Sequence, residues 1–331
     1  MRIAIDAMGG DHAPAEIVRG ALEGLAALNG SELVLIGDEA AIRAEMAKHP
    51  GVDSSRIRIE PTTQVIGMDE SPVEAIRKKK NSSIVRMATM AAAHEVDAVI
   101  SAGNTGACAA ACQLKIRPLK GVHRPGIAVV IPSFYGPLVV CDVGANIAAK
   151  AKHLHQYAVM ASLYAEIVLG VKSPRVGLLS VGEEDVKGTS VVKKTHELLR
   201  HDTTVRFVGN VEGRDLFRGT VDVVVCDGFV GNIVLKLTEG LAEGLFKTIS
   251  AEIYRELPHL AHEFEPVIQK VWTNHDYSEY GGAPLLGVDG ICIICHGSSN
   301  HRAIRNAVRV ASYFVERRLN AAMAEGLAKG H

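Results

Sequence analysis

Six short apolar runs in this chain, residues 3–5, 98–100, 138–141, 176–179, 205–208 and 223–226, each end in a small polar loop. Every loop pairs glycine with Asp, Asn or Ser, as in Ser101-Ala-Gly-Asn-Thr-Gly106 and Asp227-Gly-Phe-Val-Gly-Asn232. Glycine in a strand-to-helix turn permits positive φ and close backbone approach, and the helix that follows offers unpaired N–H groups at its positive end. The chemistry implied is anion binding, with phosphate the obvious guest. Two turns echo each other as Gly-x-x-Gly: Gly103, Asn104, Thr105 and Gly106, then Gly228, Gly231 and Asn232. The echo suggests two facing helix N termini; the plainer alternative is tight helix–strand packing.

Lys187, within the polar loop Gly182-Glu-Glu-Asp-Val-Lys187-Gly188, could hold phosphate or polarise a carbonyl oxygen, or could be a solvated loop charge. Lys236, inside the helix after Asp227, is expected to point outward. The spacing matches neither a P-loop nor a dinucleotide fingerprint, and there is no G-x-S-x-G or H-E-x-x-H. A reaction in which inorganic phosphate itself attacks needs no protein nucleophile, only positioning and stabilisation of the developing oxyanion. Asn104, Asn146, Asn210 and Asn232 could supply neutral donors, although each also suits a turn. The basic run Arg77, Lys78, Lys79, Lys80 stabilises a helix C terminus or docks an acidic protein or anionic surface. Cys292-Ile-Ile-Cys295-His296 matches haem attachment in spelling, but it lies in an apolar run that reads as a core strand, so neither haem nor metal is expected.

Placing these loops requires parallel βαβ units. Helical periodicity covers 16–28, 40–48, 71–80, 83–94, 105–114, 153–168, 190–200 and 232–254, alternating with the apolar runs. A chain of 331 residues implies two α/β lobes, or one lobe with a large excursion. Residues 254–275, broken by Pro258 and Pro266, form that excursion, either packing on a neighbouring lobe or subunit or serving as a mobile cap or membrane-touching hairpin. A second core element spans 285–294, an amphipathic helix spans 304–322, and the tail 323–331 is expected to fray. With formal net charge −1 and 5% aromatic residues, nothing draws the chain to nucleic acid. No segment reads as a signal peptide or membrane span, so a cytoplasmic protein with six buried free thiols is expected.

Several blocks, in order, resemble the bacterial phosphate acyltransferase family PlsX: Asp6-Ala-Met-Gly-Gly-Asp-His-Ala-Pro14, Arg77-Lys-Lys-Lys-Asn-Ser-Ser83, Ser101-Ala-Gly-Asn-Thr-Gly-Ala107, Asp142-Val-Gly-Ala-Asn146, Asp222-Val-Val-Val-Cys-Asp-Gly-Phe-Val-Gly-Asn232 and Glu279-Tyr-Gly-Gly-Ala-Pro-Leu-Leu-Gly287. The resemblance implies reversible transfer of a long-chain acyl group from acyl carrier protein to inorganic phosphate. The acyl phosphate would serve phospholipid synthesis through a membrane-bound glycerol-3-phosphate acyltransferase. It further implies a three-layer α/β/α fold with a mostly parallel sheet, similar to phosphotransacetylases and isocitrate/isopropylmalate dehydrogenases, in a homodimer without metal or nucleotide cofactor. On this reading Lys187, Asp227 and Asn146 become catalytic candidates. Gly103, Asn104, Thr105, Gly106, Gly228, Gly231, Asn232 and His296 become candidates for phosphate or substrate binding. Arg77, Lys78, Lys79 and Lys80 would dock the carrier, while Leu257, Leu260, Phe264 and Val267 would contact the acyl chain or a membrane surface peripherally. Two alternatives stand beside it: a nucleotide-dependent dehydrogenase of the same fold, and a non-catalytic scaffold bridging carrier and membrane.

Overall fold

A computed structural model describes residues 1–28, 30–133, 135–275 and 280–329; Glu279 of the last block and residues 330–331 of the tail lie outside them. In chain order the first half comprises β1 (Arg2–Asp6), α1 (Ala15–Ala26), β2 (Glu32–Gly37), α2 (Glu39–Met46), β3 (Ile57–Pro61), α3 (Pro72–Lys78), α4 (Ser83–Ala92), β4 (Ala98–Ser101), α5 (Thr105–Lys115), β5 (Gly126–Ser133) and β6 (Gly136–Cys141). Then follow α6 (Ala151–Leu169), β7 (Arg175–Leu179), α7 (Ser190–His201), β8 (Arg206–Val211), β9 (Val223–Val225), α8 (Gly228–Glu256), α9 (Ala261–His275), β10 (Ala283–Leu286), β11 (Ile291–Ile294), α10 (His301–Glu316) and α11 (Leu319–Lys329).

The described strands form one sheet in the order β3-β2-β1-β4-β11-β10-β5-β6-β9-β7-β8. Strands β3, β2, β1, β4 and β11 are mutually parallel, and so are β6, β9, β7 and β8. Between the two sets, β10 is antiparallel to both β11 and β5, and β5 is antiparallel to β6. Three reversals leave the two parallel halves running in opposite directions. The single core element expected at 285–294 is therefore two strands, β10 and β11, joined by a turn.

Central strands are apolar on both faces because helices cover both, as parallel sheets require. One face buries Ile3, Ile5, Tyr157, Val223 and Ile304, and the other buries Val34, Ile84, Val99, Val140 and Val224. Helix α1 buries Ile17, Val18, Ala21, Leu22 and Leu25 along one stripe. It crosses α10 at Gly20, where a Cβ would stand 2.4 Å from the His301 carbonyl oxygen. The terminal segment is helical through Lys329, with Met323 and Leu327 buried, because its apolar residues close over the first face.

Candidate active site

The α5 N terminus is built by Asn104. Its Oδ1 accepts from the Ala107 amide at 3.0 Å, while its Nδ2 donates to the carbonyls of Gly67, Met68 and Glu70 at 3.1–3.2 Å. Asn104 is thus a buried cap and loop staple, with no donor to spare. Gly103 is buried as well, its N–H held by Ser101 Oγ at 3.1 Å. Thr105 and Gly106 remain at the open end, and their backbone N–H groups have no acceptor among the described residues. Two donors at a helix N terminus are a ready anion cradle.

The second Gly-x-x-Gly turn is built differently. Gly228 N–H goes to the Asn146 carbonyl at 2.9 Å, and Asp227 Oδ1 accepts from Phe229 and Val230 at 3.0 and 2.9 Å. A Cβ on Gly231 would lie 1.9 Å from the Asp142 carbonyl oxygen. These glycines let α8 seat directly on the loop after β6, and its first turn keeps no free donor. Asp142 organises that loop, accepting from the backbone N–H groups of Ile127, Gly144, Ala145 and Asn146 at 2.7–3.1 Å. Burial pushes its carboxyl pKa up, against the pull of these donors. Asn146 is equally committed: Nδ2 donates to the Pro125 carbonyl at 2.6 Å and to Tyr157 OH at 2.8 Å.

Seating α8 this way brings one of its faces to the junction of the two half-sheets. A cavity of about 90 Å³ there is lined by Thr105, Ile127, Val129, Val143, Asn232, Leu235, Lys236, Glu239 and the β10–β11 edge with His296. Lys236 is exposed, as expected, with its side chain 49% accessible, and it also places Nζ 3.0 Å from His296 Nε2 and 2.8 Å from Glu239 Oε2. The reason is tertiary: Asn232, Leu235, Lys236 and Glu239 recur at i, i+3, i+4 and i+7, one helical face. That spacing, anchored on Asn232, is the signal that sequence reading passed over. His296 Nδ1 lies 2.8 Å from Ser298 Oγ. The Ser298 backbone N–H also points at Nδ1, at 3.3 Å, so the serine turn and the Lys236 ammonium hold the ring from its two sides. Burial and the Lys236 charge hold the imidazole below its ordinary pKa, outweighing Glu239 and Asp11. Glu239 lines the same cavity, and its Oε1 is buried without a partner among the described residues.

Lys187 is exposed and does not line this cavity. Its loop leaves the carboxyl end of β7, the edge that also carries Asp142 and Asp227. It is held by Asn210, whose Nδ2 donates to the Glu184 carbonyl at 2.9 Å, and by His196, 3.4 Å from Asp185. In the basic run, Lys79 is drawn to Glu70 and to the Val65 carbonyl, and Lys78 lies 3.4 Å from Glu74. Leu257, Phe264 and Val267 are exposed on α8–α9, and Leu260 is partly so. Cys292 and Cys295 point to opposite faces of the sheet, which removes the haem-attachment geometry.

Residues 1–322 match a family model described as "Fatty acid synthesis protein". A "Phosphate acyltransferase" of Desulfitobacterium hafniense is 49% identical over 321 residues, spanning 96% of this chain and 94% of that one. The chain belongs to the phosphate acyltransferase family. Another such phosphate acyltransferase, from Pelotomaculum thermopropionicum, is 50% identical over 325 residues, covering 96% and 93% of the two chains. Among solved structures, a phosphotransacetylase from Streptococcus pyogenes superposes with TM-score 0.63 at 16% identity, covering 96% of this chain and 94% of that one. A putative 4-hydroxythreonine-4-phosphate dehydrogenase from Salmonella typhimurium gives 0.55 at 17%, covering 94% and 98%. These likenesses show the three-layer α/β fold, and the family relation makes the reaction acyl transfer to phosphate.

Proposed function

We propose that this phosphate acyltransferase takes a long-chain acyl group from acyl carrier protein and gives it to inorganic phosphate, supplying acyl phosphate for phospholipid synthesis. The observation that carries the site assignment is the meeting of the open α5 N terminus with Lys236, His296 and Glu239 in one cavity. Phosphate sits on the Thr105 and Gly106 N–H groups, with the Lys236 ammonium opposite and Glu239 accepting from its protonated oxygen. A phosphate oxygen attacks the thioester carbonyl carbon, the C–S bond breaks, and the carrier thiolate leaves to be protonated by solvent. Lys236 and the helix end stabilise the charge that develops on the carbonyl oxygen. Neutral Nε2 of His296 orients Lys236, and Asn232 lines the acyl side. Lys187 acts as a second cation reaching the thioester from the β7 edge, and Asp227 and Asn146 hold α8 and its loop in place.

The unpartnered face of α8 belongs to a homodimer. Leu257, Leu260, Phe264 and Val267 meet a membrane surface or the acyl chain, delivering product to a membrane-bound glycerol-3-phosphate acyltransferase. The test is direct: incubate the protein with long-chain acyl carrier protein and inorganic phosphate, and trap acyl phosphate with hydroxylamine. Phosphate-dependent hydroxamate supports the reading; none would leave a scaffold role as the better account.

A further inference from the structure

Three cysteines from two separate elements converge in the apolar cluster that also holds the cavity-lining Ile127, Val129, Val143 and Ile294. Cys108 and Cys112 lie one turn apart on α5, and Cys292 lies on β11; their sulfurs all fall within 4.8 Å of one another, and Cys112 and Cys292 Sγ stand 3.3 Å apart. Cys108 and Cys112 are 0% exposed and Cys292 is 2% exposed, inside an apolar cluster. Three thiolates bound to one ion at a metal–sulfur distance of about 2.3 Å in a plane stand about 4 Å apart, so these sulfurs need shifts of only some tenths of an ångström to ligate. We propose that Cys108, Cys112 and Cys292 form a three-sulfur site for a thiophilic d10 cation of the Cu(I) or Zn(II) class.

The donor set decides the class: sulfur-only ligation in a dry pocket excludes hard cations and favours soft ones. Cys295 points to the other face of the sheet and adds no fourth sulfur. Each ligating thiol releases its proton on binding, so occupancy strengthens with pH. The α5 N terminus, one turn before Cys108, offsets thiolate charge. Because the sulfurs are closed off, the ion loads during folding. It ties α5, three residues past Thr105, to β11, four residues before His296, and so fixes the two sides of the cavity.

The site stands apart from the proposed reaction and is tested without it. Full-length protein, reduced and unfolded, is refolded with Cd(II), and the thiolate-to-cadmium charge-transfer absorption is titrated after removal of excess ion. One Cd(II) per chain is expected, with at least tenfold weaker retention in Cys112→Ser and Cys292→Ser and no change in Cys226→Ser. Should a serine variant fail to refold, differential alkylation of the loaded wild type under denaturing conditions reads which cysteines the ion protects. Absence of the absorption, its survival without Cys112 or Cys292, or equal alkylation of all six cysteines would overturn the proposal.

Discussion

His296 illustrates how one side chain's surroundings set its chemistry. Burial and the Lys236 ammonium both disfavour the imidazolium, and His153 is shifted the same way by burial and by Arg124, His123 and Lys150. A histidine whose folded pKa is depressed leaves the folded state at full stability above the unfolded value of about 6.5 and destabilises it as pH falls below that. The lowered carboxylates Glu16, Asp202 and Asp222 act nearer their own range, at lower pH. Stability from urea denaturation is therefore expected to fall between about pH 7.5 and 5.5, with a shallower fall in His296→Gln and His153→Gln. Equal slopes in wild type and both variants would contradict this. Asn104 and Asn146 teach the complementary point. Sequence marked them as possible donors to substrate, yet their amides are committed within the fold, because the geometry of a cap or a loop staple is invisible until the partner carbonyls are in place.

Among elements, α8 departs most from an ordinary core helix. It runs 29 residues, yet only Gly228 and Gly231 are buried. Phe229, Ile233, Leu237, Leu241, Leu245 and Ile249 are 48–67% exposed, a continuous apolar row left uncovered among the described residues. For the proposed homodimer, Leu237→Glu with Leu241→Glu is expected to halve the mass seen by light scattering while leaving far-UV circular dichroism intact; an unchanged mass contradicts a dimer contact on α8. Where α8 turns into α9, replacing Leu257, Leu260, Phe264 and Val267 with serine is expected to lower cosedimentation with anionic liposomes several-fold. Unaltered cosedimentation rejects the membrane contact. Helix positions were legible in sequence because their apolar spacing is local. The 126–133 strand and the splitting of 285–294 were not, since β5 and β10 pair across more than 150 residues of chain, and nothing within either segment encodes that partnership. The shared face of Asn232, Leu235, Lys236 and Glu239 was readable as a spacing, but what that face meets follows from the seating of Gly231 on Asp142, a contact between distant segments.

At the scale of the molecule, three antiparallel pairings at the centre of the sheet turn two parallel halves against each other and leave the cavity of Lys236, His296 and Glu239 at their junction. The α/β class, the glycine-rich loops and the absence of a nucleophile motif were all readable from the chain; the reversal that joins the halves was not. On the proposed carrier-dependent reaction, the basic run at Arg77 to Lys80 is the docking surface for an acidic carrier. Reversing Arg77 and Lys80 to Glu is expected to raise KM for acyl carrier protein about tenfold with kcat held. An unchanged KM would move docking to another face. The placement of phosphate at the junction is tested most directly by phosphate saturation of the acyl-transfer rate in wild type, Lys236→Ala and Lys187→Ala, each checked for native fold. Lys236→Ala is expected to raise KM for phosphate or lower kcat/KM by at least about a hundredfold, equivalent to about 3 kcal/mol of lost transition-state stabilisation, with a smaller loss in Lys187→Ala. Normal phosphate kinetics in Lys236→Ala, beside an inactive Lys187→Ala, would contradict it and move the phosphate site to the β7 edge.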